Sequence, residues 1–217
     1  MRPIFVTGIG TEVGKTVVSA ILVEALGADY WKPVQAGDLQ DSDTARVRRL
    51  VTNPLSSFHP EAVRLNAPAS PHAAAEWEGR RITLDAFRLP PVIHDRPLVV
   101  EGAGGVLVPL NERDSMVDLI RELGCDAVVV SRHYLGSINH TLLTLEALEH
   151  RGVAVLGLVF NGEENPETET VIMARSTVPV LGRVRWEPTL TATVIQQYAD
   201  AFAPALARHG RRRVVGT

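Results

Sequence analysis

The stretch GIGTEVGKT, Gly8–Thr16, decides the fold of this chain. It follows a short apolar run, Ile4–Thr7, that predicts a buried strand, and it leads into Lys15–Leu26, where apolar side chains recur at helical spacing until Gly27 ends the helix. Glycines let the backbone curl so that successive N–H groups point inward, and the start of a helix adds donors and partial positive charge. This order of elements therefore predicts a loop that binds phosphate groups.

Two side chains of this loop have definite chemical tasks. Lys15 can reach the β- and γ-phosphates of a nucleotide as a point charge, and the hydroxyl of Thr16 can ligate Mg²⁺. The usual motif has a glycine, four residues and then Gly-Lys-Ser/Thr, whereas here Ile9 takes the first glycine's place and Gly8 lies one residue earlier. The alternative is a chance glycine-rich turn, but Gly-Lys-Thr between a strand and a helix favours nucleotide binding.

Strand and helix patterns alternate along the rest of the chain. Predicted strands are Tyr30–Val34, Pro97–Glu101, Cys125–Val130, Val153–Phe160 and Val178–Val184, and predicted helices are Asp41–Val51, Thr83–Leu89, Ser137–Arg151 with Ser137 as its cap, and Thr189–Ala207, which is interrupted or ended near Pro204. The proline-containing segment 53–71 reads mostly as loop. Apolar strands separated by helices predict an α/β fold with a mostly parallel sheet and helices on both faces. We expect one P-loop domain over residues 1–217, with 208–217 as a flexible tail.

Composition excludes several function classes. The 22 Lys and Arg residues against 25 Asp and Glu give no positive field to attract nucleic acid or an acidic membrane, and the one basic cluster, Arg211–Arg213, reads as a solvated tail. The single cysteine, Cys125, permits no intramolecular disulfide, and its apolar surroundings predict an inert thiol. Neither a signal peptide nor an apolar run of the ~20 residues that span a bilayer is present. We therefore expect a cytoplasmic chain.

Three charged residues outside the loop are candidates for the same site. Glu101 closes a fully apolar strand, where a carboxylate is costly unless it is paired, and the carboxyl edge of a parallel sheet is where such sites form. Asp43 follows the second strand and is a further metal-ligand candidate, although it could instead cap a helix. Lys32 lies at the end of the second predicted strand; from the residues alone, a surface lysine and a catalytic one are equally plausible.

Taken together, these segments resemble the dethiobiotin synthetase family. The resemblance covers roughly residues 4–186 and rests on six segments in the family's order: Thr11–Thr16, Lys32–Val34, Ser42-Asp43, Ser70–His72, Glu101–Gly105 and Leu135–His140. The phosphate loop alone is shared with many NTPases, but its combination with Lys32-Pro33-Val34 and the Glu101 loop is far more specific.

The resemblance implies a reaction of 7,8-diaminononanoate, CO₂ and ATP that gives dethiobiotin, ADP and phosphate. A substrate amine takes up CO₂ as a carbamate, the carbamate oxygen attacks the γ-phosphate, and the second amine closes the cyclic urea. Lys15 and Lys32 would be the catalytic cations. Thr16, Asp43 and Glu101 would hold Mg²⁺. The family also implies a homodimer with shared active sites.

The resemblance also assigns binding residues. The implied ATP-binding residues are Gly10, Thr11, Glu12, Val13, Gly14, Lys15, Thr16, Val17, Asp43, Glu101, Gly102, Ala103, Gly104, Asn161, Arg185 and Trp186. The implied substrate-binding residues are Thr11, Lys15, Lys32, Ala36, Gly136, Ser137, Ile138 and Asn139, the last four supplied by the partner subunit. Three positions depart from common family residues: Gly10 replaces an acid, Ala36 a serine and Arg185 a proline.

Two rival functions have similar folds. Partitioning or membrane-cycling ATPases carry a signature lysine early in the loop, where this chain has Gly10, and often add a basic amphipathic tail helix. A glutamine-dependent synthetase would need a glutaminase domain and a nucleophilic cysteine, and Cys125 lacks that context. The seven histidines show no metal-binding spacing.

Overall fold

The computed structural model describes residues 2–91 and 95–212, with the backbone alone over 208–212. The strands are β1 (Ile4–Gly8), β2 (Asp29–Trp31), β3 (Val34–Ala36), β4 (Phe58–His59), β5 (Val63–Leu65), β6 (Leu98–Gly105), β7 (Asp126–Arg132), β8 (Val155–Asn161) and β9 (Val180–Val184). The α-helices are α1 (Lys15–Leu26), α2 (Asp43–Leu50), α3 (Pro71–Trp77), α4 (Met116–Glu122), α5 (Ser137–His150), α6 (Pro166–Ala174) and α7 (Ala192–Arg212).

Seven strands form the central sheet in the order β4-β2-β6-β1-β7-β8-β9, and neighbouring strands in it run parallel. Strands β3 and β5 form a separate parallel pair. Helices pack around the sheet, with α1 against α7 and α2, and α5 against α6. The predicted α/β class and mostly parallel sheet are confirmed. Because β1 is central, the loop that follows it opens at the carboxyl ends of its neighbours, where α/β proteins bind ligands.

The core explains the two best-predicted elements. Phe5 and Val6 of β1 are fully buried, as parallel strands covered on both faces require. Helix α1 buries Ile21 and Leu22 against the sheet and ends at Gly27, whose left-handed φ of 56° lets its N–H return to helix carbonyls. The observed bounds of α1 match the predicted ones.

Several predicted elements differ from the structure. The second predicted strand is split, because β2 ends at Trp31 and β3 pairs with β5 instead of joining the sheet. Strand β6 continues through the glycine turn to Gly105, which pairs with Gly8. Glu101 therefore lies inside a strand, and the prediction that it ends one was wrong. The predicted 83–89 helix is reduced to one 3₁₀ turn, Leu84–Ala86.

The two helices with predicted caps or breaks also differ. Gly136, at a φ of 101°, is the N-cap of α5, so Ser137 is the first helical residue and not the cap. Helix α7 runs through Pro204 to Arg212. The predicted tail overlaps this helix over 208–212, while residues 213–217 and the side chains of the arginine cluster lie outside the described residues.

Two smaller expectations can be checked in the described residues. Cys125 is a buried free thiol, and burial, followed by the charge of Asp126, raises its pKa to about 12, which agrees with an inert side chain. No helix within 2–91 and 95–212 has the length and apolar character needed to span a bilayer.

A glycine in β9 controls how closely α7 approaches the sheet. A Cβ at Gly182 would lie 2.3 Å from the ring of Phe202. We expect Gly182→Ala to lower the free energy of unfolding by about 1–3 kcal/mol through overpacking. Adding Phe202→Leu should recover part of the loss, because the smaller side chain makes room. Urea unfolding of both variants measures this, and equal stabilities of Gly182→Ala and the wild type would contradict the packing.

Candidate active site

The phosphate loop connects β1 to α1 in a curled conformation. Gly14 is the N-cap of α1 with a φ of 98°, and Glu12 is left-handed with a φ of 57°. The Asn161 amide at the end of β8 donates to the Val13 carbonyl at 2.8 Å, and a Cβ at Gly14 would lie 2.2 Å from its Nδ2. A larger residue than glycine cannot fit there. The loop conformation is therefore held by an amide from a neighbouring strand as well as by its own backbone.

Lys15 folds back over this loop. Its Nζ donates to the Gly10 carbonyl at 2.9 Å, and the residue is buried. Burial, followed by repulsion from Lys32, lowers the pKa of Lys15 to about 8, although Glu101 and Asp43 oppose the shift. The ammonium therefore lies buried against the backbone of the loop, where its charged form is disfavoured.

Lys32 joins the two candidate acids. Its Nζ lies 2.5 Å from Asp43 Oδ2 and 3.0 Å from Glu101 Oε1, and it donates to the Gly102 carbonyl at 3.3 Å. Burial disfavours the charged form, but the two carboxylates outweigh it, so the pKa of Lys32 is raised. The surface-lysine alternative is thereby excluded, since Lys32 is 4% exposed.

Every carboxylate oxygen of the two acids has a partner. The Thr16 hydroxyl lies 3.1 Å from Asp43 Oδ1 and 2.9 Å from Glu101 Oε1, and the Tyr30 hydroxyl donates to Glu101 Oε2 at 2.9 Å. Burial raises the pKa of Asp43, but Lys32 and Thr16 lower it by more than burial raises it. The net shift of this pKa is therefore downward. Glu101 is 1% exposed, so these partners compensate the cost of removing its charge from water.

A cavity of about 660 Å³ opens beside this cluster. Among its lining residues are eleven that the sequence predicts for the site, namely Thr11, Glu12, Gly14, Lys15, Thr16, Lys32, Ala36, Asp43, Glu101, Ala103 and Gly104. Gly10, Val13, Val17 and Gly102 belong to the adjoining backbone but do not line the cavity. The structure therefore gathers the phosphate, metal and amine candidates from five elements or their connections into one concave site.

Three of the implied ATP-binding residues, Asn161, Arg185 and Trp186, lie apart from this cavity. Asn161 is tied to the phosphate loop as described, and Arg185 pairs with Glu164 at 2.9 Å. Trp186 is 71% exposed. Together they mark a second region at the carboxyl ends of β8 and β9.

The helix start Gly136–Asn139 is also outside the cavity. An apolar groove of about 380 Å³ lies between the phosphate loop, the turn after β6 and α5. Leu107 and Leu143 line it and are each more than half exposed, and Leu135, just before α5, is fully exposed. The same chain therefore does not bring its own helix start to the cavity, and it shows an apolar surface next to it.

Sequence reasoning missed residues that position the acids. Tyr30 was predicted only as part of a strand, and its hydroxyl donates to Glu101. The Gln35 side chain accepts from the Asp43 N–H at 3.2 Å and donates to the Gly37 carbonyl at 3.0 Å. The only available signal was their position on the strands that flank Lys32. No group of three His, Cys, Asp or Glu side chains suited to a metal occurs in the described parts of the chain.

A family model described as an AAA domain matches residues 2–194. Curated relatives named ATP-dependent dethiobiotin synthetase BioD match nearly the whole chain. That of Christiangramia forsetii is 51% identical over 202 residues, 93% of this chain and 96% of the relative. Those of Cytophaga hutchinsonii and Paramagnetospirillum magneticum are 49% and 51% identical and cover 92% and 90% of this chain, and 96% and 93% of the relatives.

Solved structures agree on the fold. The cell division ATPase MinD of Pyrococcus furiosus superposes with a TM-score of 0.55 at 18% identity, covering 98% of this chain and 99% of the other. The MinC:MinD complex of Aquifex aeolicus gives a TM-score of 0.54 at 14% identity, covering 100% and 97%. At such identities the likeness extends to the fold alone.

Lys15 and Lys32 are the only lysines in the sequence, which makes their different environments measurable. Only the neutral amine reacts with acetic anhydride, so acetylation of Lys15 should rise as the pH passes about 8, while Lys32, whose pKa is raised, stays largely unmodified. Peptide mass spectrometry from pH 6 to 10 gives both profiles, and Lys15→Arg is the control that removes the reactive amine. Equal labelling of the two lysines, or labelling of Lys15 only near its ordinary pKa of about 10, would contradict the site's electrostatics.

Proposed function

The chain belongs to the ATP-dependent dethiobiotin synthetase family. We propose that it forms dethiobiotin from 7,8-diaminononanoate, CO₂ and ATP in biotin biosynthesis. One observation carries the proposal from the structure: Lys15 and Lys32 converge with Asp43 and Glu101 beside a phosphate loop. Relatives that share about half of the residues over nearly the full length support the same reaction.

The chemistry explains why two buried cations are needed. A substrate amine adds to CO₂ and loses a proton, which gives an anionic carbamate. The carbamate oxygen attacks the γ-phosphorus and ADP leaves; the second amine then attacks the carbonyl carbon, phosphate leaves, and the cyclic urea is formed. The first attack joins two anions, so Lys15 and Lys32 lower its barrier by holding charge on the transferring phosphoryl group and the carbamate. Their ammonium groups are preorganised by the loop carbonyl and the acids.

The oxygen atoms at Thr16, Asp43 and Glu101 fit Mg²⁺, because hard oxygen ligands are what this ion prefers. We propose that these three residues hold it, and when bound it would neutralise charge on the β- and γ-phosphates. Lys32 contacts the same carboxylates and would share their negative charge with a bound ion. The Tyr30 hydroxyl donates to Glu101, and the Gln35 side chain accepts from the Asp43 N–H, so these two residues orient the acids.

Recognition of ATP is supported by the orientation of Asn161. Its Nδ2 already donates to Val13, which leaves Oδ1 to accept from an exocyclic amino group such as that of adenine. Arg185 and Trp186 lie beside this strand end, at the carboxyl side of β9. We assign all three to the base, and the backbone of Gly10–Val17 and of Gly102–Gly104 to the phosphates.

We further propose a cytoplasmic homodimer whose active sites are shared. The exposed apolar groove beside the phosphate loop, with Leu107 and Leu143, supports a subunit contact there. The partner's Gly136–Asn139 would bring the N–H groups of its α5 start to the substrate carboxylate. Thr11 and Ala36 would line the diamine site on the first subunit.

The rival ATPase switch is not favoured. Its support was the similarity of fold, and the solved MinD structures match this chain at 18% identity or less, so they carry no function across. Relatives at 49–51% identity are synthetases.

The decisive assay supplies purified protein with bicarbonate and Mg-ATP, with and without 7,8-diaminononanoate, and follows ADP and the urea product. We expect ADP release to require the diamine and Mg²⁺. Lys32→Ala should lower kcat by about 100-fold or more while ATP affinity changes little, because its charge acts where the carbamate meets phosphate. ATP hydrolysis that ignores the diamine, or unchanged turnover of Lys32→Ala, would refute the proposal.

The shared site predicts complementation between two inactive subunits. Lys15→Ala disables the phosphate loop, and Asn139→Glu places a repelling charge where the partner's substrate carboxylate would bind. A heterodimer isolated with two affinity tags should regain about half of the wild-type activity, since one of its two sites has both wild-type halves. Each parent homodimer serves as control. Activity no higher than that of the parents would argue for self-contained sites.

A further inference from the structure

Glu169 of α6 joins three elements by one oxygen atom. Its Oε1 lies 2.9 Å from His133 Nε2, accepts from the Asn165 N–H at 3.1 Å, and also pairs with the Arg183 guanidinium. His133 follows β7, Asn165 is the N-cap of α6, and Arg183 lies in β9. The side chains of Glu169, His133 and Arg183 are each at least four-fifths buried. None of these residues takes part in the chemistry proposed above.

Arg183 carries this contact to the segment that follows Asn161. Its Nη1 donates to the Gly162 and Glu163 carbonyls, each at 3.3 Å, and its guanidinium lies 5.6 Å from the centroid of the Phe160 ring. The His133 ring packs on the same phenyl ring, with centroids 5.3 Å apart. The chain on both sides of Asn161 is therefore held by side chains that Glu169 anchors.

The far side of this segment is fixed by a second pair. Glu164 accepts from Arg185 at 2.9 Å and lies 3.8 Å from Arg183 Nε. Gly162 has a φ of 99°, which glycine adopts without strain, and these carbonyl and carboxylate contacts hold the turn after Asn161. Two of the three residues that we assign to the nucleotide base, Asn161 and Arg185, are thus connected to the same turn.

We propose that Glu169 is a positioning residue for recognition of the nucleotide base. It holds Arg183 and His133 against residues 160–165, and this fixes the direction in which the Asn161 amide presents its free oxygen. The inference rests on the proposed role of Asn161 in binding the base. Without the carboxylate, Arg183 loses its nearer anionic partner and keeps only Glu164 at 3.8 Å. The turn carbonyls then lose a fixed donor, so Asn161 samples other orientations.

The effect should be confined to base recognition. The catalytic lysines and the acids lie at the starts of α1 and α2, directly after β2 and in β6, and the hydrogen bonds of Glu169 reach none of them. Loss of the carboxylate should therefore raise the KM for ATP and reduce discrimination between ATP and GTP, while kcat at saturating nucleotide is retained. A residue that only stabilised the fold would leave both the KM for ATP and the discrimination between ATP and GTP unchanged.

The test compares Glu169→Ala, Glu169→Gln and the matched control Glu167→Ala, which removes an equal charge from the same helical turn at an exposed position. KM and kcat are measured for ATP and GTP in the dethiobiotin assay, and ADP and GDP affinities by calorimetry. We expect Glu169→Ala to raise the KM for ATP roughly tenfold, with a matching loss of ADP affinity and a smaller ADP-to-GDP ratio. Glu169→Gln should recover part of both, because its amide oxygen still accepts from Arg183 and the Asn165 N–H.

The two readouts separate the possible failures. Unchanged ADP affinity and an unchanged ADP-to-GDP ratio in Glu169→Ala, or an equal effect of Glu167→Ala, would overturn the positioning role. A fall in kcat with KM unchanged would overturn it as well. Absence of dethiobiotin with the wild-type protein would instead refute the proposed reaction, and the calorimetric comparison would still decide the role of Glu169. A thermal unfolding midpoint for each variant identifies any that fails to fold, and the Glu169→Gln variant then carries the comparison.

Discussion

The contact of the Lys32 ammonium with Asp43 and Glu101 is the interaction on which the rest of the site depends. A carboxylate that is 1% exposed is stable only when it is paired. Glu101 accepts hydrogen bonds from the Lys32 ammonium and from the hydroxyls of Thr16 and Tyr30. These partners come from the end of β2, the start of α1 and β2 itself. The charge requirement of one buried acid therefore fixes how the phosphate loop, the central strands and α2 are arranged, and the cavity beside them follows from that arrangement.

The site has two regions with separate supports. We propose that the phosphates and the amines bind beside β1, β2 and β6, where the charged side chains are concentrated and buried. We propose that the base binds at the ends of β8 and β9, where the Asn161 side chain also contacts the phosphate loop through the Val13 carbonyl. A separation of this kind allows the affinity for a nucleotide to change without altering the groups that act on the phosphoryl transfer.

The sequence predicted the parts whose physics is local. The phosphate loop and α1 were found because glycine positions, helical spacing and a terminal glycine are all readable in one short segment. Lys32, Asp43 and Glu101 were identified as candidates because carboxyl ends of parallel strands meet at one edge. The sequence could not show that β6 continues past Glu101, since glycines normally read as a turn and only pairing of Gly105 with Gly8 makes them a strand. The bond from Tyr30 to Glu101 was also out of reach, because it joins residues 71 positions apart. Helices α3, α4 and α6 were not predicted. They are short, so their local sequence pattern is weak and their stability comes mainly from tertiary contacts.

A crystal structure with Mg²⁺ and a non-hydrolysable ATP analogue tests the central claim most directly. The account predicts that the β- and γ-phosphates lie against the backbone N–H groups of the turn before α1 and that Lys15 Nζ leaves the Gly10 carbonyl to contact a phosphate oxygen. An analogue bound elsewhere, with Lys15 still on the Gly10 carbonyl, would contradict it.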